Sequence, residues 1–529
     1  MSIDLVIRGG LVADGTGEPL RQADVAIEGD RVALVGNIPD VGCPELRADY
    51  CVVAPGFINV LSHAYGTLQQ DPRGLSDLYQ GVTTEVFGEG YSLGPVSGRL
   101  AEIAGNEPQE TGLQMSWPRL RDFLEHLSAT GVGPNVASFV GASNLRMIHA
   151  GAEDRPLTDE ELSGACELLD AELAAGALGL GSALIYSPGC YASTSELTAY
   201  ARVLARHDAL YASHIRDEAD RLIEAIGELV HITRTAQARA EIFHLKASAQ
   251  RNWPKMAEAI ETVERARAEG LQVSADVYPY KAGATRLAAC IPPRFHAGGQ
   301  EALLARLADE AARGMIKDAI ARPSADWQNL YLDAGGAEGV LLLGDPQTDH
   351  GGRTLAEVMT ARHDIDPIDT LLDLVSAEPK LPAAYFGMSE QNIRLVLERP
   401  WVSVGSDAEA PAAEPPFTGT PTHPRTYGSF ARVLGHYVRE GVLPIEEAIR
   451  RMSSLPAHNL RLADRGVIRE GAFADVSVFD PQEVRDLATY ESPHAYATGM
   501  RHVLINGAQA FKDGRPTGTL AGRALRRAR

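Results

Sequence analysis

The chain has 529 residues, of which 45% are hydrophobic and 22% are charged, and these proportions are typical of an ordinary globular protein. Its 49 Lys and Arg against 70 Asp and Glu give a net charge of −21. Such a surface repels phosphate backbones and anionic lipids, which argues against nucleic-acid and membrane partners. The length predicts two domains, or one large barrel with additions.

The beginning of the chain has no basic region followed by a long apolar run, so we expect no secretory signal. No apolar run approaches the roughly 18 residues that a membrane helix needs. The five cysteines are an odd, scattered set without a Cys-x-x-Cys pair. That set is typical of reduced thiols, and we therefore expect a cytoplasmic location.

Both ends of the chain consist of short apolar runs that stop at turn residues. These runs are 4–8, 11–13, 24–27, 31–35, 476–480, 502–505 and 508–511. Gly9-Gly10 predicts a turn between the first two runs, and Asn506-Gly507 predicts one between the last two. We expect one small β domain built from residues 1–54 and 465–520.

Between these ends, in residues 55–464, short apolar strands alternate with amphipathic helices. The strand candidates are 83–87, 135–140, 179–182, 209–212, 241–243, 273–277 and 401–404. A helix over 158–175 opens with Thr158 and Glu161 at capping-box spacing, and another helix covers 255–269. Repeated strand–helix units of this kind predict a parallel sheet, and the length of the region predicts an eight-fold α/β barrel. Near 292–352 the pattern turns helical and then Gly-rich, which indicates an insertion.

Five polar side chains fall at the carboxyl ends of predicted strands: His63, Glu89, His214, His244 and Asp407. Catalytic groups of such barrels lie at these ends, so we expect the five to share one site. Imidazole and carboxylate suit zinc, and Glu89, His214 and His244 could bind it while leaving a position for water. Asp407 could then take the proton from that water.

Each of these residues also has a structural interpretation. A lone strand-end histidine is more often a satisfied core or surface residue than a ligand. Glu89, between two glycines, could be a solvated loop residue, and Asp407 could cap a turn or a helix. Their joint occurrence at matching strand ends favours the catalytic interpretation.

Six short motifs, in this order and spacing, are together far more specific than any one of them. They are Pro55-Gly56-Phe57-Ile58, Gln80-Gly81-Val82-Thr83-Thr84, Tyr211-Ala212-Ser213-His214-Ile215-Arg216-Asp217-Glu218, Asp276-Val277-Tyr278-Pro279-Tyr280, Gly405-Ser406-Asp407 and His423-Pro424-Arg425. Over nearly its whole length the chain resembles the N-acyl-D-amino-acid deacylase (D-aminoacylase) family of the amidohydrolase superfamily. The resemblance implies a distorted (β/α)8 TIM-like barrel with a small β-sandwich domain from both termini, and zinc-dependent amide hydrolysis.

The same resemblance implies roles for individual residues. His214 and His244 correspond to ligands of the family's tight zinc site, whose third ligand is a cysteine after the second strand. This chain has Glu89 in that loop, and we infer that its carboxylate takes the place of the thiolate. Asp407 corresponds to the catalytic acid/base.

Three further residues are predicted to bind the substrate, two of them from the resemblance and Lys246 from the proposed mechanism. Arg425 and Tyr278 correspond to groups that hold the substrate carboxylate, and we expect the substrate to be a small molecule that carries one. Tyr278 or Lys246 would donate to the scissile carbonyl. Ala284 stands where the family often has a serine.

The first barrel strand departs from the family pattern, in which Pro-Gly-Phe-Ile-Asp usually leads into His-x-His. Here Asn59 replaces the aspartate and Leu61 replaces the first histidine, while His63 keeps the second. Leu61 argues against a two-metal site, so we expect one tightly bound zinc ion. His63 stays open between an outer metal ligand, a substrate contact and a hydrogen-bond partner of the zinc water.

Three functions follow as hypotheses. The first is deacylation of N-acyl-D-amino acids to a carboxylate and a free D-amino acid. The second keeps the hydrolase class but has a cyclic amide or a dipeptide containing a D-amino acid as substrate. The third is a metal-depleted, non-enzymatic relative that binds a ligand, and Leu61 alone favours it.

Overall fold

The computed structural model describes residues 3–106, 116–419 and 421–528, so residues 1 and 2 of the predicted terminal domain lie outside it. Its strands are β1 (Leu5–Val12), β2 (Arg21–Glu28), β3 (Arg31–Gly36), β4 (Glu45–Arg47), β5 (Val52–Pro55), β6 (Phe57–Asn59), β7 (Val82–Phe87), β8 (Asn135–Ser138), β9 (Val140–Gly141), β10 (Gly179–Ala183), β11 (Leu210–His214), β12 (Arg239–Ile242), β13 (Val273–Val277), β14 (Gly283–Arg286), β15 (Val340–Leu342), β16 (Pro382–Tyr385), β17 (Val402–Val404), β18 (Val476–Phe479), β19 (Met500–Ile505), β20 (Ala508–Lys512) and β21 (Arg515–Pro516). Each strand predicted for the barrel and for the two ends overlaps an observed one, although the runs 4–8 and 11–13 both belong to β1 and the run 135–140 is divided into β8 and β9.

The α-helices are α1 (Thr67–Gln70), α2 (Leu75–Leu78), α3 (Gly98–Asn106), α4 (Leu120–Thr130), α5 (Ala142–Ala150), α6 (Asp159–Ala174), α7 (Thr194–Arg206), α8 (Leu222–Ala236), α9 (Lys255–Ala268), α10 (Gln300–Ala308), α11 (Glu310–Ile320), α12 (Leu330–Asp333), α13 (Leu355–Arg362), α14 (Pro367–Ala377), α15 (Glu390–Leu397), α16 (Arg425–Arg432), α17 (Ile445–Met452) and α18 (Ser454–Asn459). The predicted capping box at α6 is confirmed, because the Thr158 hydroxyl accepts from the Glu161 N–H and the Glu161 carboxylate accepts from the Thr158 N–H. Among the described residues, none of these helices has the length and apolar character that crossing a bilayer requires.

Eight parallel strand positions form a ring within the described part of the chain. One run pairs β6, β7 and β8, and the other pairs β9, β10, β11, β12, β13 and β17 in that order. Only Phe139 separates β8 from β9, and a parallel bridge between Ser62 and Ala408 joins β6 to β17. The ring is therefore a closed barrel whose strands all point the same way, and the predicted fold class is confirmed.

The two ends of the chain meet in a single sheet of nine strands, in the order β21-β20-β19-β18-β5-β1-β2-β3, with β4 beside β1. The junction is the antiparallel pair β5–β18, which aligns Pro55 with Val476. Apolar side chains from both ends, among them Ile7, Val53 and Leu504, form a core separate from that of the barrel. The domain limits 1–54 and 465–520 stay a prediction.

The predicted turn at Gly9-Gly10 is wrong, since β1 continues through both glycines. The register against β2 shifts between Ile7 and Gly10, and Gly9 has a φ of +74°. A β-bulge of this kind uses the left-handed conformation that glycine adopts without strain. A Cβ at Gly10 would lie 2.4 Å from a methyl group of Val53, so the strand also needs glycine there for space.

The chain leaves the barrel after β13 and returns at β17, and it forms a second packed unit on the way. In this unit β14 and β15 both pair antiparallel with β16, and helices α10–α14 cover them. Its buried side chains, such as Leu287, Ile316 and Leu371, form a core of their own. The unit runs from β14 to β16, which is wider on both sides than the predicted insertion near 292–352.

Candidate active site

The carboxyl ends of five barrel strands bring the predicted site residues together. His214 is the last residue of β11, and His244 follows β12 by two residues. His63, Glu89 and Asp407 lie in the turns that follow β6, β7 and β17. Because all barrel strands run parallel, these turns share one mouth of the barrel, as the sequence predicts.

Glu89 and two histidines form a group that we call the inner cluster. Glu89 Oε1 lies 3.0 Å from His214 Nδ1 and 3.0 Å from His244 Nε2. The two imidazole rings are nearly perpendicular, at 83°, with centroids 4.4 Å apart. Ligands held about 2.0–2.1 Å from a tetrahedral zinc lie about 3.3 Å from one another. The spacing and the donor set of two nitrogens and one carboxylate oxygen therefore fit zinc.

The other oxygen of Glu89 belongs to a second group, which we call the outer cluster. His63 Nε2 lies 3.2 Å from Glu89 Oε2 and 3.0 Å from Asp407 Oδ1. The atoms of these three residues also lie close enough together to hold a metal ion. Glu89 is thus shared, with one oxygen directed to each cluster.

The turn that presents Glu89 depends on its first glycine. Gly88 has a φ of +106°, and a Cβ there would lie 2.4 Å from the carbonyl oxygen of Phe139. Only glycine combines this conformation with this close approach. The Gly-Glu-Gly sequence therefore forms a turn of defined conformation with a buried carboxylate. The interpretation of Glu89 as a solvated loop residue does not hold.

Two of the site residues have left-handed backbones. His244 has a φ of +40° and Asp407 has a φ of +51°. The His244 N–H donates to the buried Asp276 Oδ1 at 3.1 Å, and the Asp407 N–H donates to the Leu61 carbonyl at 2.8 Å. Backbone strain in non-glycine residues is concentrated at functional sites, and here these hydrogen bonds maintain it.

Leu61 and Asn59, the two departures in the first strand, have different consequences. The Leu61 side chain is buried and offers no ligand atom. Asn59 donates to Asp77 at 2.9 Å and to Glu85 at 3.1 Å, and its carbonyl accepts from the Ser406 N–H at 2.9 Å. Burial, followed by the charge of Glu85, raises the pKa of Asp77 well above its usual value. An aspartate at position 59 would add a third carboxylate there, whereas the amide donates to both.

The surroundings of Glu89 and Asp407 favour the ionised form of both carboxylates. Burial opposes ionisation of Glu89, but hydrogen bonds from the three site histidines outweigh it and hold its pKa well below the usual value. Burial also raises the pKa of Asp407, yet the Arg425 charge and the His63 hydrogen bond bring it below the ordinary value. For His63, burial lowers the pKa, but hydrogen bonds to the two carboxylates raise it well above normal. Metal binding and proton acceptance both need ionised carboxylates.

Arg425, Tyr278 and Lys246 surround the two clusters. Arg425 Nη1 donates to Asp407 Oδ2 at 2.7 Å and Nη2 donates to the Ala284 carbonyl at 3.3 Å. The buried Nε of Arg425 has no hydrogen-bond partner among the described residues. The Tyr278 ring lies between the cations, with its centroid 4.7 Å from the guanidinium and 5.6 Å from Lys246 Nζ. Thus all eight predicted residues lie together.

Two residues of the site were not singled out from the sequence. Glu218 contacts His214, His244 and Lys246. The ring of Tyr186, three residues beyond β10, lies 5.3 Å from that of His214. The position of Tyr186 after a barrel strand was a usable signal, whereas for Glu218 the only signal was its place four residues after His214.

Comparison with known proteins shows similarity over the full length. Residues 48–511 match the Amidohydrolase family. The chain is 35% identical to the N-acyl-D-glutamate deacylase of Alcaligenes xylosoxydans xylosoxydans, covering 99% of this chain and 97% of that protein. It is 33% identical to the D-aminoacylase of the same organism, with 99% and 98% covered. The crystal structure of N-acyl-D-glutamate deacylase from Bordetella bronchiseptica, complexed with zinc and a phosphonate inhibitor, superposes with a TM-score of 0.82 at 30% identity, covering 99% of this chain and 100% of that one.

Proposed function

Because the chain belongs to the amidohydrolase family, we propose that it hydrolyses N-acyl-D-amino acids to a carboxylate and a free D-amino acid. The observation that carries the proposal is the inner cluster of Glu89, His214 and His244 directly beside Asp407 and Arg425. Relatives that share the whole length of the chain are deacylases of N-acyl-D-glutamate and N-acyl-D-aspartate. They support the reaction class and the small-molecule substrate.

Glu89, His214 and His244 would hold one zinc ion. Their side chains are between 3% and 8% exposed, so little water competes with them for the metal. When bound, zinc supplies a Lewis acid that activates water and polarises the scissile carbonyl. A single ion agrees with the loss of a ligand at Leu61.

Asp407 is the proposed general base and acid. It accepts a proton from the attacking water and delivers it to the leaving amine. His63 Nε2 holds one of its oxygens at 3.0 Å and Arg425 Nη1 holds the other at 2.7 Å. These two contacts hold both oxygens of the carboxylate in position.

Arg425 also binds the substrate carboxylate in this proposal. Its Nη1 is committed to Asp407, whereas its Nε has no partner among the described residues and would donate to the substrate carboxylate. Lys246 Nζ donates to Glu218 Oε1 and lies 2.7 Å from His244 Nδ1, and an ammonium with three N–H donors keeps donors for the substrate. Tyr278 packs against both cations and limits the width of the binding site.

The cytoplasmic location inferred from the cysteines stays a prediction.

A substrate screen with one variant tests the proposal. We expect purified, zinc-loaded protein to release D-amino acids from N-acetyl-D-amino acids and to leave the L-enantiomers, hydantoins and D-amino-acid dipeptides largely intact. Asp407→Asn should retain zinc but lose about 10²–10⁴-fold in kcat, because a positioned acid/base contributes about that much. Asp513→Asn, whose side chain is 77% exposed, is the matched control.

The outcomes separate the three hypotheses. Preferential turnover of a cyclic amide or a dipeptide would favour the second substrate class. Absence of zinc together with absence of any turnover would favour the ligand-binding relative. Full activity in Asp407→Asn would refute the assignment of that residue as the acid/base.

A further inference from the structure

We propose that Glu218 is a positioning residue, which orients both imidazoles of the inner cluster from the side opposite Glu89 and so determines how slowly the site releases zinc. This inference rests on the proposed zinc dependence. Glu218 is not one of the predicted ligands, and its carboxylate contacts the histidines at the nitrogens that Glu89 leaves free.

The four side chains form a closed ring of contacts. His214 directs Nδ1 to Glu89 and Nε2 to Glu218 Oε2, at 3.0 and 3.4 Å. His244 is turned the other way, with Nε2 at 3.0 Å from Glu89 and Nδ1 at 3.0 Å from Glu218 Oε1. Each imidazole therefore lies between the same two carboxylates, and each carboxylate contacts both imidazoles.

The chemistry of a metal-bound histidine explains why a second carboxylate beside each imidazole would matter. A ring nitrogen that binds a metal carries no proton, so the ring proton lies on the other nitrogen and needs an acceptor. His214 Nε2 is buried and has no hydrogen-bond partner among the described residues, which makes the nearby Glu218 carboxylate the acceptor within reach. His244 Nδ1 lies 2.7 Å from Lys246 Nζ and 3.0 Å from Glu218 Oε1, and since an ammonium cannot accept a proton, the same carboxylate is the acceptor for the ring proton. One glutamate thus serves both ligands.

Glu218 is itself held firmly in place. Its backbone N–H donates to the Gln328 side chain at 2.8 Å, and its carbonyl accepts from the Ser248 N–H at 2.7 Å. Lys246 Nζ donates to Oε1 at 2.5 Å and compensates the buried charge. Gln328 belongs to the packed unit between β13 and β17, so that unit also supports the loop behind the metal site.

A simpler role for Glu218 would be to neutralise Lys246. The two roles predict different rates of zinc release in the variants. If Glu218 acts through the histidines, Glu218→Gln weakens zinc retention even though the glutamine is isosteric, because an amide cannot accept from both rings. Lys246→Met, in contrast, removes the ammonium beside His244 Nδ1 but keeps both contacts between Glu218 and the histidines, and it should release zinc at close to the wild-type rate.

The experiment measures zinc release into excess chelator from purified, zinc-loaded full-length protein, followed by a colorimetric zinc indicator. We expect Glu218→Gln and Glu218→Ala to release zinc about 10–100-fold faster than wild type, which matches the loss of affinity typical when a partner of a metal-binding histidine is removed. Asp220→Asn is the matched control, since this carboxylate lies in the same loop but pairs with Arg251. Thermal melting with and without zinc checks that each variant folds.

The Co²⁺-substituted protein gives a second readout. Its visible absorption reports ligand geometry, and we expect it to change in Glu218→Gln but not in Asp220→Asn. If wild type and Glu218→Gln released zinc at the same rate, the positioning role would be overturned while the zinc site itself would stand. The positioning role would also be overturned if Lys246→Met released zinc as fast as Glu218→Gln. A wild-type protein that retains no zinc would instead refute the proposed function itself.

Discussion

The inner and outer clusters share one carboxylate, lie at the same barrel mouth and still differ in how completely they are built. The inner histidines are 6% and 3% exposed, and a second carboxylate, Glu218, contacts both of them. In the outer cluster His63 is 29% exposed, and Leu61 occupies the place where the family pattern has another histidine. A metal site depends on the groups that orient its ligands as well as on the ligands.

Arg425 adds a second difference between the clusters. Its guanidinium is 2.7 Å from Asp407, so one outer-cluster carboxylate already has a positive partner. A divalent ion bound there would have to overcome repulsion from this fixed cation. The inner cluster has Lys246 nearby, but the Glu218 carboxylate lies against that ammonium and compensates it. In the proposed mechanism the two clusters therefore have different tasks, metal binding in the inner cluster and proton transfer with carboxylate recognition in the outer one.

The largest effect is expected from removing an inner ligand. His214→Ala should leave little bound zinc and reduce kcat/KM by at least about 10³-fold, since Lewis-acid activation is lost together with the metal. Zinc content by atomic absorption and initial rates provide the measurement. His207→Ala is the control, because that histidine pairs with Asp170 away from the site. Substantial activity in His214→Ala would mean that the inner cluster does not hold the essential metal, and the distinction between the two clusters would then be wrong.

A smaller effect is expected from the outer histidine. His63→Gln should retain about one zinc per chain and lower kcat by about 10-fold, because Asp407 loses one of its two orienting contacts but keeps its charge and Arg425. Zinc stoichiometry and kcat are measured on the same preparation. Loss of zinc in this variant would show that His63 is a ligand of the essential metal, and the division into inner and outer clusters would then be wrong.

Much of the fold could be predicted because the barrel strands are short runs, five of which are followed closely by, or end at, a polar residue of the predicted site. The run 273–277 coincides with β13 in both bounds. Parallel strand ends converge in any closed barrel, which is why His214, His244 and Asp407 could be grouped before their distances were known. The positions of strands and of the residues at their ends depend on neighbours along the chain, so local sequence patterns predict them.

Features that depend on distant residues could not be predicted in this way. The packed unit extends to β16 because that strand pairs with both β14 and β15, and β14 lies almost a hundred residues away in the chain. Glu218 reaches the histidines because Asp217 Oδ1 accepts from the Ala219 and Arg221 N–H groups and tightens the loop. Its four-residue spacing from His214 would indicate a contact only on a helix, and this segment is a loop.

The smallest effect on activity, but the sharpest test of the comparison, is expected from restoring the missing histidine. Leu61→His should allow a second zinc ion to bind at raised zinc concentration, because it would add a nitrogen ligand next to His63, Glu89 and Asp407. Leu61→Phe is the matched control, with a ring of similar size and no ligand atom. We expect turnover at low zinc to stay within about threefold of wild type, since the inner cluster is unchanged. A stoichiometry that stays at one in Leu61→His would mean that the charge of Arg425, rather than the absent histidine, keeps the outer cluster from binding a second ion.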